Sequence, residues 1–266
     1  MLKQRILTAL LLGPIVLAII WFGNDLTFNL FVTFLAFMIS FEWMQIVNKK
    51  RSTSLIISSV IALFLLSYNY ANFIVIDVNR IVLAALIIWV VCFAFLVQHS
   101  KVVYKYKAKI GLGIAAILFF GVSLNELHRI PRNGHIWTLA LILLIWVADI
   151  GAYVSGKSFG KNKLAINISP GKTIEGLLGG MILCSILGYF VGKNLPYDAG
   201  LFALVFAVIA GVSVIGDLFA SLIKRHGQVK DSGHLLPGHG GFLDRFDSLV
   251  AATPFYFGFV HYILTS

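Results

Sequence analysis

The sequence predicts an all-α protein that crosses a membrane about nine times, and three observations carry that expectation. Of its 266 residues 59% are apolar and only 12% are charged, with a mean hydropathy of +0.92, whereas soluble domains carry about 25% charged residues. The apolar residues fall into runs of about 17 to 25, the length that spans a hydrocarbon core as a helix. The basic residues, finally, are distributed unequally between alternate loops.

In chain order the runs lie near 6–22, 28–47, 54–70, 81–98, 110–125, 136–155, 174–192, 201–223 and 248–264. Lys3 and Arg5 precede the first as they would a signal peptide, but its apolar stretch is long and no small-residue cleavage site follows Trp21, so it is expected to stay as an anchor. With the N-terminus in the cytoplasm, only Arg80, Arg129, Arg132 and Lys193 fall outside and the other 17 of the 21 Lys and Arg face the cytoplasm. The positive-inside rule therefore places the N-terminus in and the C-terminus out. Topology accounts for most of the net charge of +10, which leaves no call for nucleic acid as a partner. Cys92 and Cys184 sit inside apolar runs far apart and suggest neither a disulfide nor a thiolate metal site.

No loop exceeds about 25 residues, so chemistry must sit on the spans and their cytoplasmic loops. The composition divides the chain into a plainly hydrophobic part, 1–135, expected to be scaffold, and a part rich in unusual residues, 136–266, expected to carry the site. Carboxylates inside spans are costly. Three qualify: Glu42, Asp149 and Asp217. Glu42, near the cytoplasmic end of its span beside Trp43, reads either as a structural residue, snorkelling to the interface or hydrogen-bonding between helices, or as a functional carboxylate. Asp217 starts a helical stripe with Ser221, Lys224 and Arg225, and Asp149 shares a face with Tyr153 and Gly156.

The segment 221–247 combines Lys224, Arg225, Lys230 and Arg245 with Asp231, Asp244 and Asp247, three histidines and five glycines. Carboxylates beside glycine-rich backbone suit a hard cation bridging phosphates, because Mg²⁺ takes one or two carboxylates plus phosphate oxygens. Gly238, Gly240 and Gly241 allow backbone amides near an anion, and the four cations neutralise a polyphosphate. The pattern points to phosphoryl chemistry. His226, His234 and His239 lack the spacing and thiolates of a zinc site. Asp247, beside Ser248 at the expected start of the last span, also reads as a helix cap, a reading Asp244 does not share. A second segment, 167–176, places Lys172 and Thr173 at the mouth of the seventh span, where helix amides would hold an anion, while Glu175 complements the dipole. Residues 151–158 match GxxxxGK[ST] letter for letter, but a membrane span runs into them, so a phosphate-binding loop is rejected.

Ser221, Lys224-Arg225, Lys230-Asp231, Pro237, His239-Gly240-Gly241, Asp244-Arg245 and Asp247 together resemble the signature of the CDP-diglyceride synthetases, or phosphatidate cytidylyltransferases, and the stretch from Asp149 through Ser169-Pro170 and Lys172-Thr173 to Glu175-Gly176 resembles the motif preceding it. The resemblance implies a multi-span enzyme that condenses CTP with phosphatidic acid to CDP-diacylglycerol and pyrophosphate, requires Mg²⁺ with a monovalent cation such as K⁺ alongside, acts as a homodimer, and sits in the bacterial inner membrane with its site facing the cytoplasm. It implies metal-binding roles for Asp217 and Asp244, to which we add Asp247. Lys224, Arg225, Lys230, Asp231, Asp244 and Arg245 are the expected catalytic set; Ser169, Lys172, Thr173, Ser221, His239, Gly240 and Gly241 are expected to bind substrate. The alternative from another class is a transporter of an anionic phosphorylated metabolite. The paired-aspartate motif of CDP-alcohol phosphotransferases is absent.

Overall fold

A computed structural model describes residues 2–48, 50–70, 77–98, 106–235 and 240–265. Each expected span is a helix: α1 (Leu2–Phe22), α2 (Asp25–Asn48), α3 (Arg51–Tyr70), α4 (Val78–Val97), α5 (Tyr106–His128), α6 (Gly134–Phe159), α7 (Ile174–Lys193), α8 (Ala199–His226) and α9 (Leu243–Thr265). Side-chain oxygens that satisfy first-turn amides start several of them. Asn24 accepts from the Thr27 amide at 2.8 Å, Asp77 from Asn79 at 2.9 Å and Asp198 from Leu201 at 2.9 Å.

Among the described residues eight helices, α2 to α9, are long and apolar enough to cross a membrane, and α1 contributes a shorter apolar stretch, Leu12–Phe22. Their outer faces carry exposed large hydrophobes such as Phe22, Ile87 and Phe190, at 82%, 57% and 57% exposure. Apolar exposure on this scale suits lipid, not water. The protein is an integral membrane protein of all-α architecture.

One addition was not expected. A two-stranded antiparallel hairpin, β1 (Lys163–Ala165) and β2 (Ser169–Thr173), joins α6 to α7. It is too short to show a two-residue alternation, so the sequence gives no strand signal there. The GxxxxGKS match at 151–158 lies within α6 and forms no phosphate-binding loop.

α9 packs against α8, α5, α4, α2 and α6, while α7 lies between α6 and α8. Small residues set the α6–α7 approach: a Cβ on Gly151 would meet the Gly180 Cα at 3.0 Å, and one on Gly180 would meet the Ala148 carbonyl oxygen at 2.7 Å. That oxygen belongs to the backbone and cannot yield. Gly180→Val is therefore expected to destabilise the protein by about 1 to 3 kcal/mol, as overpacking does; a detergent unfolding temperature equal to that of the unaltered protein would contradict this interface.

Gly216 does the same where α8 meets α9. A Cβ there would lie 2.6 Å from both the Ala251 Cβ and the Asp247 carbonyl oxygen. The close crossing sets Asp217 and Asp247, on neighbouring helices, at the same level of the bundle.

Candidate active site

α8 runs three residues further than its apolar run, to His226, and α9 begins five residues earlier than expected, at Leu243. Lys224 and Arg225 thus lie in the last turn of α8, while Asp244 and Arg245 lie in the first turn of α9. This exchanges the two aspartates. Asp247, read from the sequence as a possible cap, is one turn inside the helix, accepts from the Ser248 amide at 2.7 Å and is 9% exposed. Asp244 occupies the first turn instead.

Both Asp244 oxygens are engaged. Oδ1 receives Lys224 Nζ at 2.5 Å, with each side chain less than a tenth exposed, and Oδ2 accepts from the amides of Ser232 at 2.8 Å and Gly241 at 3.1 Å. The Gly241 amide, expected to cradle a substrate anion, is therefore given to a carboxylate of the chain itself. Gly240 takes φ +81°, in the left-handed region that favours glycine, and a Cβ there would stand 2.9 Å from Asp244 Oδ2.

Glu42 does not snorkel. It is 3% exposed, and its carboxylate accepts from Ser232 Oγ at 2.6 Å and from the amides of Phe242 at 3.0 Å and Leu243 at 2.9 Å. The hydrogen-bond reading of Glu42 holds, with a loop and a helix start as its partners.

The Asp217 stripe forms as expected, with Ser221 Oγ donating to Asp217 Oδ1 at 3.3 Å. Asp217 Oδ2 meets Lys172 Nζ at 2.5 Å, so the hairpin and α8 join through an ion pair. Thr173 caps α7, its hydroxyl accepting from the Gly176 amide at 3.1 Å, and Glu175 accepts from the Asn162 amide at 3.1 Å and its side-chain Nδ2 at 2.8 Å. Arg225 donates to the Ile168 carbonyl at 3.2 Å and the Val229 carbonyl at 3.3 Å, tying the two cytoplasmic motifs together. Ser169 is partly buried on β2, whereas Lys230 and Asp231 are exposed. Pro237, Gly238 and His239 lie outside the described residues.

These elements enclose a cavity of about 620 Å³. Its lining combines Asp149, Asp217, Asp231, Asp244 and Asp247, Lys224 and Arg245 with apolar residues, among them Leu12, Val16 and Leu17 of α1 and Ile142, Ile145 and Trp146 of α6. Asp217 interacts electrostatically with both Asp149 and Asp247. Sequence reasoning singled out Asp149 as costly but gave it no part in the site; its position four residues before Tyr153 on the stripe was the available signal. The α1 and α6 apolar lining had none.

The donor set fits a hard divalent cation. It consists of carboxylates, five in the cavity lining against two cations, a set of hard oxygen donors. Among the described residues no three of His, Cys, Asp or Glu converge as a protein-only cage. That is how Mg²⁺ is usually held, by one or two carboxylates with substrate phosphates completing the shell. Each carboxylate has about four lone-pair positions, and Asp217, with two donors, keeps more of them than Asp244 with three.

Charged groups and apolar helix faces that line one cavity define an all-α membrane protein with a mixed polar and apolar site. The model of the cytidylyltransferase family matches residues 3–263, and the chain belongs to that family. It is 31% identical to the phosphatidate cytidylyltransferase of Haemophilus influenzae across 99% of this chain and all of that protein, and 35% identical to that of Pseudomonas aeruginosa across 96% and 95%. The Bacillus subtilis phosphatidate cytidylyltransferase is 31% identical across 95% of each. Family membership decides for an enzyme and against the transporter.

Proposed function

We propose that the protein is a phosphatidate cytidylyltransferase, transferring the cytidylyl group of CTP to phosphatidic acid at the cytoplasmic face of the membrane, and that the cavity lined by both charged and apolar side chains is where the two substrates meet. The similarity to phosphatidate cytidylyltransferases along nearly the whole chain supports the activity. The cavity supports the site, since it offers room for acyl chains against α1 and α6 and for phosphates against α8 and α9.

A phosphate oxygen of phosphatidate attacks the α-phosphorus of CTP. A new P–O bond forms, the bond from that phosphorus to the α,β-bridging oxygen breaks, and the electron pair leaves on pyrophosphate. The nucleophile is an anion at neutral pH, so no base is needed to activate it. The chain's task is to bring two polyanions together in line and to stabilise the leaving charge. Lys224 and Arg245 face the phosphates from the cavity wall; Lys172, held by Asp217, and the exposed Lys230 extend the positive surface. We assign substrate contacts to Ser221, whose hydroxyl donates to Asp217, to Thr173 at the start of α7 and to Ser169 on β2, and Arg225 keeps the hairpin against the end of α8. Gly240 and Gly241 serve by allowing the backbone to approach Asp244. Asp217 and Asp247 would hold Mg²⁺, with Asp149, Asp244 and Asp231 lining the same cavity; when bound, the ion would offset the negative charge of the triphosphate. Room for a monovalent cation such as K⁺ and a role for His239 follow from the family resemblance alone.

The unequal distribution of Lys and Arg supports an N-terminus inside and a C-terminus outside, with nine crossings. We assign 136–266 as the part carrying the reacting groups and 1–135 as hydrophobic scaffold that, through α1, also lines the cavity, in a homodimer in the bacterial inner membrane. Cytosolic CTP reaches a site on that face directly.

The reaction is tested with CTP labelled at either end of its triphosphate. Label at the α-phosphorus should appear in the lipid extract and label at the γ-phosphorus should stay in the aqueous phase as pyrophosphate; no transfer of α-label to lipid would overturn the reading. The site is tested at Gly13 of α1, whose Cβ would meet nothing within 4 Å although the residue lines the cavity. Gly13→Phe should fill the cavity beside α1, raising the KM for phosphatidate about tenfold or more, in proportion to a lost apolar contact of a few methylenes. The KM for CTP should stay unchanged. An equal rise in both would place the acyl chains elsewhere.

A further inference from the structure

The catalytic signature rests on a residue about two hundred positions before it. Glu42 lies in the part of the chain expected to be plain scaffold, yet its three hydrogen bonds all reach the segment that joins α8 to α9. Two go to consecutive amides, those of Phe242 and Leu243, at the start of α9. Helix starts leave such amides without intrahelical partners, and here the cap comes from another helix. The third bond takes the hydroxyl of Ser232.

Ser232 is shared. Its hydroxyl goes to Glu42 Oε2 and its amide to Asp244 Oδ2, at 2.6 and 2.8 Å. The Gly241 amide goes to Asp244 and its two successors to Glu42. Two buried carboxylates thus grip the same short stretch, of which Asp244 lines the cavity and Glu42 does not.

The sequence leaves space for this grip and no slack in it. A Cβ on Gly233 would stand 2.6 Å from Glu42 Oε1, and one on Gly241 would run into Ser232 Oγ and Glu42 Oε2. Glu42 itself is fixed from both sides. The neighbouring Trp43 donates its indole N–H to the Lys109 carbonyl at 3.1 Å and packs on Phe219 of α8, and Ile46 lies where a Cβ on Gly227 would meet it at 2.6 Å. The backbone donors cannot be reversed, so an amide in place of the carboxylate puts an N–H against an N–H at one of the three positions.

We propose that Glu42 is a positioning residue of the active site: by capping α9 from α2 and holding Ser232, it sets where Asp244 and its partner Lys224 stand in the cavity. It touches no substrate. Its effect on turnover passes through the placement of Asp244, and misplacement of a reacting group by about 1 Å costs about 10² in rate.

The activity readout rests on cytidylyl transfer being the reaction, whereas the positioning itself is read separately from amide hydrogen exchange at Phe242 and Leu243. In Glu42→Gln, kcat should fall about 10²-fold while the KM values for CTP and phosphatidate stay within about threefold, and exchange at both amides should accelerate. Ser232→Ala, which removes only one hydroxyl and keeps the other two bonds to Glu42, should lower kcat by a smaller factor, about tenfold, the value of one hydrogen bond to a charged group. The double variant should be no worse than Glu42→Gln alone, because both changes break one linkage. Faster exchange in Glu42→Gln with kcat within threefold of the unaltered protein would overturn the proposal, as would strictly additive losses in the cycle. If the unaltered protein transfers no cytidylyl group, the reaction assigned above fails, and exchange at the two amides still decides whether Glu42 holds the start of α9.

Discussion

Asp217→Asn is expected to lower kcat by at least about 10³-fold, the rate equivalent of losing several kcal/mol of charge stabilisation. Asp217 of α8 lines the same cavity as Asp149 of α6 and Asp247 of α9, and Lys172 reaches it from the hairpin. Asparagine keeps the shape and one acceptor but loses the charge that a divalent cation requires. It also releases Lys172, so the hairpin keeps only the Arg225 bond to the Ile168 carbonyl as a polar tie to α8 among the described contacts. The Asp217 side chain is about 30% exposed, so the unfolding temperature in detergent should change little. Initial rates of lipid labelling measured alongside unfolding curves separate the two effects; activity within tenfold of the unaltered protein would remove Asp217 from the metal-holding set.

Lys224→Met should have the largest effect on stability. The Lys224 and Asp244 side chains are 9% and 8% exposed and meet at 2.5 Å. Removing one partner of a buried pair leaves the other charge without compensation, which costs about 3 to 5 kcal/mol. Thermal unfolding should shift down accordingly and turnover should be lost. Adding Asp244→Asn to Lys224→Met removes the stranded charge while its oxygen still accepts from the Ser232 and Gly241 amides. The double variant should therefore recover much of the unfolding temperature and none of the activity. Recovery of both would mean that the pair serves only the fold.

The spans were legible because apolar runs bounded by charges encode themselves locally. All nine appear as helices, with errors confined to ends such as that of α9, where Leu243 to Asp247 mixes apolar and charged residues and so hides the first turn. The hairpin was not legible, since Lys163–Ala165 and Ser169–Thr173 are too short for a period and contain Pro170 and Gly171. Of the site, the residue types were readable and their partners were not. Asp217, Lys224, Asp244 and Asp247 do line one cavity, yet nothing local tells that Lys172 pairs with Asp217 or that the Gly241 amide is spent on Asp244. Glu42 marks the limit most clearly. Its burial cost was visible in the sequence, but its partners lie 190 to 201 residues away, and only the packing of α2 against the ends of α8 and α9 brings them together.

Pyrophosphate release by the detergent-purified protein tests the central claim most directly, with CTP, phosphatidic acid and Mg²⁺ supplied together and each omitted in turn, ATP in place of CTP, EDTA in place of the metal, and Asp244→Asn in parallel. The account predicts release only when CTP, phosphatidate and the divalent cation are all present, and its loss in the variant. Release that persists without the lipid or in EDTA, or that continues undiminished in Asp244→Asn, would contradict it.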